Sequence, residues 1–132
     1  MVRVLIDADN VAPRRVQPVL DLLSERPDVR ITASGRAGAL RRLALPDTAE
    51  VLVHAGWQRA DLALAEAYEP SADPLILVTG DGDFGLLATR HPGPVLVVSG
   101  AASERLRGGT TVVDPATEGT TPIRSWLAEN AI

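Results

Sequence analysis

The chain has 132 residues, a length that suits one compact domain with a single hydrophobic core. It contains no cysteine, which excludes a disulfide framework and thiolate chemistry, and its 2 histidines make a zinc site unfavourable. The net charge of −4 argues against nonspecific binding to nucleic acid. All 13 basic residues are arginine. With 45% hydrophobic residues and 3% aromatics, the composition is typical of a globular protein with an aliphatic core.

Short aliphatic runs alternate with helical patterns along the chain, without repeats or a linker. Strand patterns rich in Val, Ile and Leu cover residues 2–6, 29–33, 50–54, 74–78 and 94–99, and 110–113 can add an edge strand. Helical patterns cover about 13–24, 40–45, 60–69, 83–90 and 102–107, followed by a terminal helix at about 121–129 that packs on the body. This alternation predicts parallel βαβ units in one α/β domain over residues 1–132. The expected fold is a three-layer α/β/α sandwich, Rossmann-like, with a parallel sheet of about five strands.

Local signals add four expectations. Asp9 or Asn10 can cap the first helix, and Pro18 weakens the middle of that helix and can kink it or delay its start. The Ser-Gly-Arg-Ala-Gly segment at 34–38 predicts a flexible loop. Trp126 is expected in the core. The chain starts directly on a strand pattern, and no apolar run approaches the ~20 residues of a membrane helix. We therefore expect a cytoplasmic protein that does not enter a membrane.

Acidic residues cluster in the segments that follow the predicted strands. In a parallel sheet those segments share one edge, where open α/β sheets bind their ligands. Asp7 directly follows the first strand, Asp61 opens the helix after the third, and Asp81 and Asp83 lie in a Gly-Asp-Gly-Asp turn after the fourth. If the strands before Asp7 and Asp81 are neighbours, ~4.8 Å apart, the carboxylates repel each other unless a cation lies between them. Because all the candidate ligands are oxygens, the expected ion is Mg²⁺ or Mn²⁺.

Each of these acids alone also has a structural interpretation. An acid that follows a strand often caps a helix, and Gly-Asp-Gly is an ordinary turn. Asp61 can interact favourably with the dipole of the helix that it opens, and Asp83 can cap the helix that follows it. Asp9 is the weakest candidate, whereas Asn10 could either cap a helix or orient a carboxylate or a water. Taken together, the five acids Asp7, Asp9, Asp61, Asp81 and Asp83 favour a metal site.

Basic and aromatic residues on the same edge are candidate contacts to RNA. The candidate phosphate contacts are Arg36, Arg14, Arg15 and Arg59, and Trp57 could stack on a base. Each of these arginines also fits an ordinary solvated surface, and Trp57 also fits a packing role. Arg36 is the strongest of them because its loop is flanked by glycines.

Three segments, in this order, resemble the three motifs of NYN domains of the bacterial LabA-like type, which belong to the PIN-like nuclease superfamily. They are residues 4–11 (VLIDADNV), 60–65 (ADLALA) and 77–84 (LVTGDGDF), and the resemblance covers about residues 2–113. It implies a Rossmann-like, PIN-type α/β/α fold and Mg²⁺- or Mn²⁺-dependent ribonuclease activity. The catalytic and metal-binding acids that it carries over are Asp7, Asp61, Asp81 and Asp83, with Asn10 supporting Asp7.

The resulting hypothesis is an endoribonuclease that prefers single-stranded RNA and leaves a 5′-phosphate and a 3′-hydroxyl. One alternative is a catalytically weak or inactive NYN module that binds RNA or a protein partner, since Ala67 stands where many relatives have a further acid. A second is a haloacid-dehalogenase-type phosphatase, because Asp7-x-Asp9 fits the first motif of that class. That class almost always uses a lysine, which this chain lacks. The sequence leaves open whether the protein forms a homodimer.

Overall fold

The computed structural model describes residues 1–54, 64, 68–79, 88, 90–100 and 111–131. Six strands form one sheet, and they are β1 (Val2–Asp7), β2 (Val29–Gly35), β3 (Glu50–Val53), β4 (Leu75–Val78), β5 (Val95–Val98) and β6 (Thr111–Val113). The described helices are α1 (Pro13–Ser24), α2 (Ala37–Arg41), α3 (Pro115–Glu118) and α4 (Thr121–Asn130), and Ala8–Asn10 forms a 3₁₀ turn. In this part of the chain, no helix is long and apolar enough to cross a bilayer.

The strand order is β3-β2-β1-β4-β5-β6, and every pair of neighbouring strands is parallel. The chain builds outward from β1 in one direction through β2 and β3, then returns to place β4 on the other side of β1. The order therefore reverses between β1 and β4, and the crevice above the carboxyl ends of two such strands is where open α/β sheets bind ligands.

Both faces of the sheet are covered by apolar packing, which explains why the central strands are nearly continuous runs of Val, Leu and Ile. On one face, alternate residues such as Val4, Ile6 and Val78 pack in a cluster that includes residues of α1 and α4. On the other face, a second cluster consists of Leu5, Leu64, Leu75, Leu77, Ala88 and Val97. Helical residues thus lie on both sides, as expected for a three-layer α/β/α sandwich of the Rossmann-like class.

The structure confirms the predicted fold class and all the predicted strands, and the sheet has six strands rather than about five. β6 is the edge strand that the sequence offered as an addition to the expected five. The terminal helix is confirmed as α4, and Trp126 lies in the core as expected. The short helix α3 was not predicted. The predicted helix at 102–107 and most of those at 60–69 and 83–90 lie outside the described residues.

The expectation of a flexible loop at 34–38 is wrong. β2 continues through Ser34 and Gly35, which pair with Leu52 and Val53 of β3, and α2 begins at Ala37. The glycine has a packing role here, because a Cβ atom at Gly35 would lie 3.0 Å from the Cβ of Ala8. The predicted helix at 40–45 is likewise wrong in its position, since α2 covers Ala37–Arg41.

The expectations about the start of the first helix are corrected in two respects. Helix α1 starts at Pro13 and continues through Pro18 to Ser24, so the internal proline does not delay its start. Its N-cap residue is Ala12, without a side-chain cap, and not Asp9 or Asn10. Those two side chains have partners elsewhere in the fold, and both partners lie at the carboxyl edge of the sheet.

Candidate acidic site at the carboxyl edge of the sheet

Asp7 ends β1, and its side chain is completely buried. It pairs in register with Ser34 of β2, and on its other side Ile6 pairs with Val78, the last residue of β4. The next residue, Thr79, directs its hydroxyl toward Asp7, with 3.4 Å between Oγ1 and Oδ2. The strand that precedes Asp81 in the sequence is therefore the neighbour of the strand that carries Asp7, as the metal-site hypothesis required.

Asn10 holds the Asp7 carboxylate from the 3₁₀ turn. Its Nδ2 donates a hydrogen bond of 2.6 Å to Oδ2 of Asp7. A neutral amide donating to a carboxylate forms a charge-assisted hydrogen bond, which is stronger than one between neutral groups. Of the two roles that the sequence left open for Asn10, the structure shows contact with the carboxylate and no helix cap.

A row of polar side chains continues from Asp7 across the sheet. Ser34 is the last residue but one of β2, and Thr79 and Ser99 directly follow β4 and β5. These three residues are 0%, 2% and 4% exposed, respectively. The strand registers and the alternation of side chains place all three on the same face as Asp7. In the part of the chain that the structure describes, the Ser34 hydroxyl has no hydrogen-bond partner. Four adjacent strands thus end in buried polar groups above an otherwise aliphatic layer.

The site predicted from the sequence does not include Ser34, Thr79 or Ser99. Each stands at the end of a predicted strand or directly after one, and that position is the signal by which they could have been found. Their common burial depends on how the strands pair, which the sequence did not fix for β2 and β5.

Several predicted site residues lie outside the described residues, and they are Asp61, Asp81, Asp83, Trp57 and Arg59. Within the described ranges, no group of three or more His, Asp or Glu side chains is arranged to hold a metal ion. Three of the four predicted ligands lie outside those ranges. Asp7 is the predicted ligand whose surroundings the structure describes.

Asp9 connects the 3₁₀ turn to the start of α2. Its Oδ1 accepts a hydrogen bond of 3.0 Å from the backbone N–H of Arg36 and lies 3.6 Å from Nε of the same residue. The Asp9 side chain is 12% exposed, whereas the Arg36 side chain is 53% exposed. Arg36 therefore remains accessible on the predicted edge, with part of its charge balanced by Asp9.

The other two described arginines of the predicted RNA contact set differ from each other. Arg14 is exposed at the start of α1. Arg15 packs across Gly100, and its Nε lies 2.9 Å from Oδ1 of Asp114, the N-cap residue of α3. Hydrogen bonding to Arg15 lowers the pKa of the Asp114 carboxyl group. Arg15 therefore links α1 to the end of β6, in addition to lying on the predicted edge.

No protein-family model matches this chain, and no curated protein matches it at a significant level. Among solved structures, it is similar to the crystal structure of a protein of unknown function from Vibrio parahaemolyticus. The match has a TM-score of 0.56 at 20% sequence identity and covers 86% of this chain and 92% of that chain. At this level of identity the similarity shows a shared fold alone.

Proposed function

We propose that the protein is a metal-dependent endoribonuclease of the NYN group of PIN-like domains. The observation that carries the proposal is the position of Asp7, a fully buried carboxylate at the carboxyl end of the central strand, next to the end of β4. The sequence that continues from β4 contains Asp81 and Asp83, two and four residues beyond Thr79. Asp61 lies three residues before Leu64, which packs on the same face of the sheet as Asp7.

The chemistry of these residues suits a hard divalent cation. A buried carboxylate is unfavourable unless hydrogen bonds or a cation compensate its charge, and Asn10 and Thr79 supply part of that compensation. Asp7, together with Asp61, Asp81 and Asp83, would provide the all-oxygen ligands that Mg²⁺ and Mn²⁺ prefer. When bound, such an ion neutralises charge on a phosphodiester and activates water.

The residues of the chain have separate roles in this proposal. Asp7 accepts from Asn10, which fixes the orientation of the carboxylate at the point where strand order reverses. Arg36 and Arg14, both exposed at this edge, bind phosphates of single-stranded RNA. In-line attack by water on phosphorus breaks the bond to the 3′-oxygen and leaves a 5′-phosphate and a 3′-hydroxyl.

The test is incubation of purified protein with end-labelled single-stranded RNA, in Mn²⁺ or in EDTA. We expect wild-type protein to cleave only with the metal, and Asp7→Asn and Asp81→Asn to lose activity by at least about 100-fold, as for the loss of a group that stabilises transition-state charge. Asp47→Asn, which removes an exposed carboxylate in the segment leading into β3, at the amino ends of the strands, is the matched control and should cleave normally. Equal cleavage by wild type and Asp81→Asn, or none with metal, would refute the proposal.

The same preparations separate the alternatives. Binding of RNA without cleavage in any metal would instead indicate a non-catalytic RNA-binding module. Metal-dependent release of phosphate from a small phosphomonoester, lost in Asp7→Asn, would indicate a phosphatase. The 3′ and 5′ ends of the RNA fragments, read by their susceptibility to phosphatase and kinase, check the predicted direction of bond cleavage.

A further inference from the structure

A groove is lined by residues of the 3₁₀ turn, the start of α1 and helix α2 with its flanking residues. Its volume is about 440 Å³. The lining residues combine an apolar wall with charged side chains, and they are Ala8, Asp9, Val11, Pro13, Arg36, Gly38, Ala39 and Arg42. A Cβ atom at Gly38 would meet nothing within 4 Å, so the glycine leaves the groove open at its rim.

The described lining residues of the groove carry a net positive charge. The one acid among them, Asp9, is engaged by the backbone N–H and the guanidinium of Arg36. Arg42 is exposed, and no carboxylate among the described residues lies within 4 Å of its guanidinium. Among the described lining residues, two guanidinium groups and one carboxylate lie next to an apolar wall, in a protein whose net charge is −4. A ligand that is anionic at one end and apolar at the other fits this arrangement.

The groove and the acidic site share one structural element. Within the 3₁₀ turn, Ala8 and Asp9 line the groove, while Asn10 donates to Asp7. Asp7 itself immediately precedes the turn. A chain molecule that has one phosphate at Asp7 and passes over the turn therefore enters the groove. A nucleic-acid strand has this form, because it presents a phosphate at every nucleotide and a planar base that can contact an apolar wall.

We propose that this groove binds a nucleotide of the RNA substrate adjacent to the phosphodiester at Asp7, with Arg42 and Arg36 contacting its phosphate. The inference rests on the proposed function, and it names the direction in which the strand leaves the acidic site. Arginine suits the role because its planar fork donates two parallel hydrogen bonds to phosphate oxygens. Val11 and Pro13 form the surface that faces the sugar and the base.

The test measures binding rather than cleavage, so it is independent of the catalytic claim. Fluorescence anisotropy with labelled single-stranded RNA in EDTA gives the dissociation constant of each variant. We expect Arg42→Ala to weaken binding about three- to tenfold, as for loss of one exposed charge-assisted contact, and Arg42→Glu to weaken it further. Arg41→Ala and Arg41→Glu are matched controls, because Arg41 is the preceding residue, is also exposed, and does not line the groove.

Salt dependence distinguishes a phosphate contact from a general effect of charge. Loss of one phosphate contact to a single strand should reduce the slope of log K against log salt by about 0.7 for Arg42→Ala and leave it unchanged for Arg41→Ala. Gly38→Glu keeps both arginines and places a carboxylate at the rim. It should weaken RNA binding, whereas Gly38→Gln should not weaken it by more than about twofold.

The outcomes separate the two proposals. If wild-type protein cleaves RNA but Arg42 and Arg41 variants bind it equally, the groove assignment is overturned and the nuclease proposal stands. If no protein cleaves RNA but Arg42→Ala loses affinity selectively, the groove binds RNA and the nuclease proposal fails. Absence of RNA binding by wild-type protein would overturn the groove assignment. Thermal melts that match wild type within about 2 °C establish that the variants are folded.

Discussion

The side-chain amide of Asn10 lies 2.6 Å from the carboxylate of Asp7, which is completely buried at the end of the central strand. This contact joins the 3₁₀ turn to the sheet at the point where strand order reverses. It also gives the buried charge a donor that does not depend on a metal. The stability of the protein should therefore respond to changes at position 10.

Asn10→Asp should destabilise the protein by about 2 kcal/mol or more at pH 7, because it replaces a donor to a buried charge with a second carboxylate. Like charges raise the pKa of the pair in the folded state. A raised pKa means that the missing stability returns as the pH falls and the pair binds a proton. Asn10→Ala, which removes the donor without adding charge, should lie between this variant and wild type. Urea unfolding at pH 7 and pH 4.5 measures both, and an Asn10→Asp protein as stable as wild type at pH 7 would contradict the prediction.

Replacement of glycine by alanine should change the free energy of unfolding in opposite directions at positions 93 and 38. A Cβ atom at Gly93 would lie 2.5 Å from the backbone oxygen of Ala72 and 2.7 Å from that of Asp73, and neither can move without shifting the chain. Gly93→Ala should therefore lower the free energy of unfolding by about 3 kcal/mol. Gly38 lies in α2 with open space around it, so Gly38→Ala should raise that energy by about 0.5–1 kcal/mol through helix propensity. Urea midpoints of both variants, compared with wild type, check the signs.

The strands could be predicted from the sequence because each central strand is buried on both faces. Such a strand must be a short, continuous aliphatic run. The patterns at 2–6 and 74–78 fit a buried strand better than any other element. The same logic gave the common edge for all loops after strands. It also made the pairing of β1 with β4 a precise condition on the metal-site hypothesis, and that condition is confirmed.

The errors arose where side chains have more than one partner available. Asp9 has a side chain suited to a helix cap, yet it accepts from Arg36, 27 residues away. Ser34 and Gly35 have the composition of a turn, but pairing with β3 keeps them extended. In both cases tertiary contacts outweigh a weak local preference. Such contacts become visible only when strand order is known.

The hydroxyl of Tyr68 should contribute to stability through His91. Tyr68 Oη lies 2.7 Å from Nδ1 of His91, and Nε2 of the same ring lies 2.7 Å from the backbone oxygen of Asp73. A carbonyl oxygen only accepts, so Nε2 carries the proton and Nδ1 accepts from the tyrosine. Because His91 is only 7% exposed, Tyr68→Phe should leave a buried acceptor without its donor and cost about 1–3 kcal/mol.

Urea unfolding at pH 7 measures this loss, since phenylalanine keeps the ring packing and removes only the hydroxyl. Burial also raises the pKa of Tyr68 above its ordinary value of 10.0. The unfolded chain therefore loses this proton first, and wild-type stability should fall as the pH rises above about 10. The Tyr68→Phe variant should not show this part of the loss of stability at alkaline pH. Equal free energies of unfolding for the two proteins at pH 7 would show that the hydroxyl contributes nothing.

The ion pair between Arg15 and Asp114 should give the protein an acid-sensitive component of stability. Hydrogen bonding to Arg15 lowers the pKa of Asp114 below its ordinary value of 3.8. For a carboxyl group with a lowered pKa, the contribution to stability is fully present above the unfolded pKa and is lost as the pH falls through the folded one. Arg15→Gln should be less stable than wild type at pH 7, and the difference should shrink below about pH 4.

Arg14→Gln is the matched control, because Arg14 is the preceding residue, is exposed, and forms no ion pair with any described residue. Gly100→Ala tests the same link from the other side, since a Cβ atom there would displace the Arg15 guanidinium that packs across the glycine. It should reproduce the acid-dependent difference seen for Arg15→Gln. Free energies of unfolding measured from pH 3 to pH 7 would contradict the assignment if the Arg15→Gln difference did not change with pH, or if Arg14→Gln showed the same dependence.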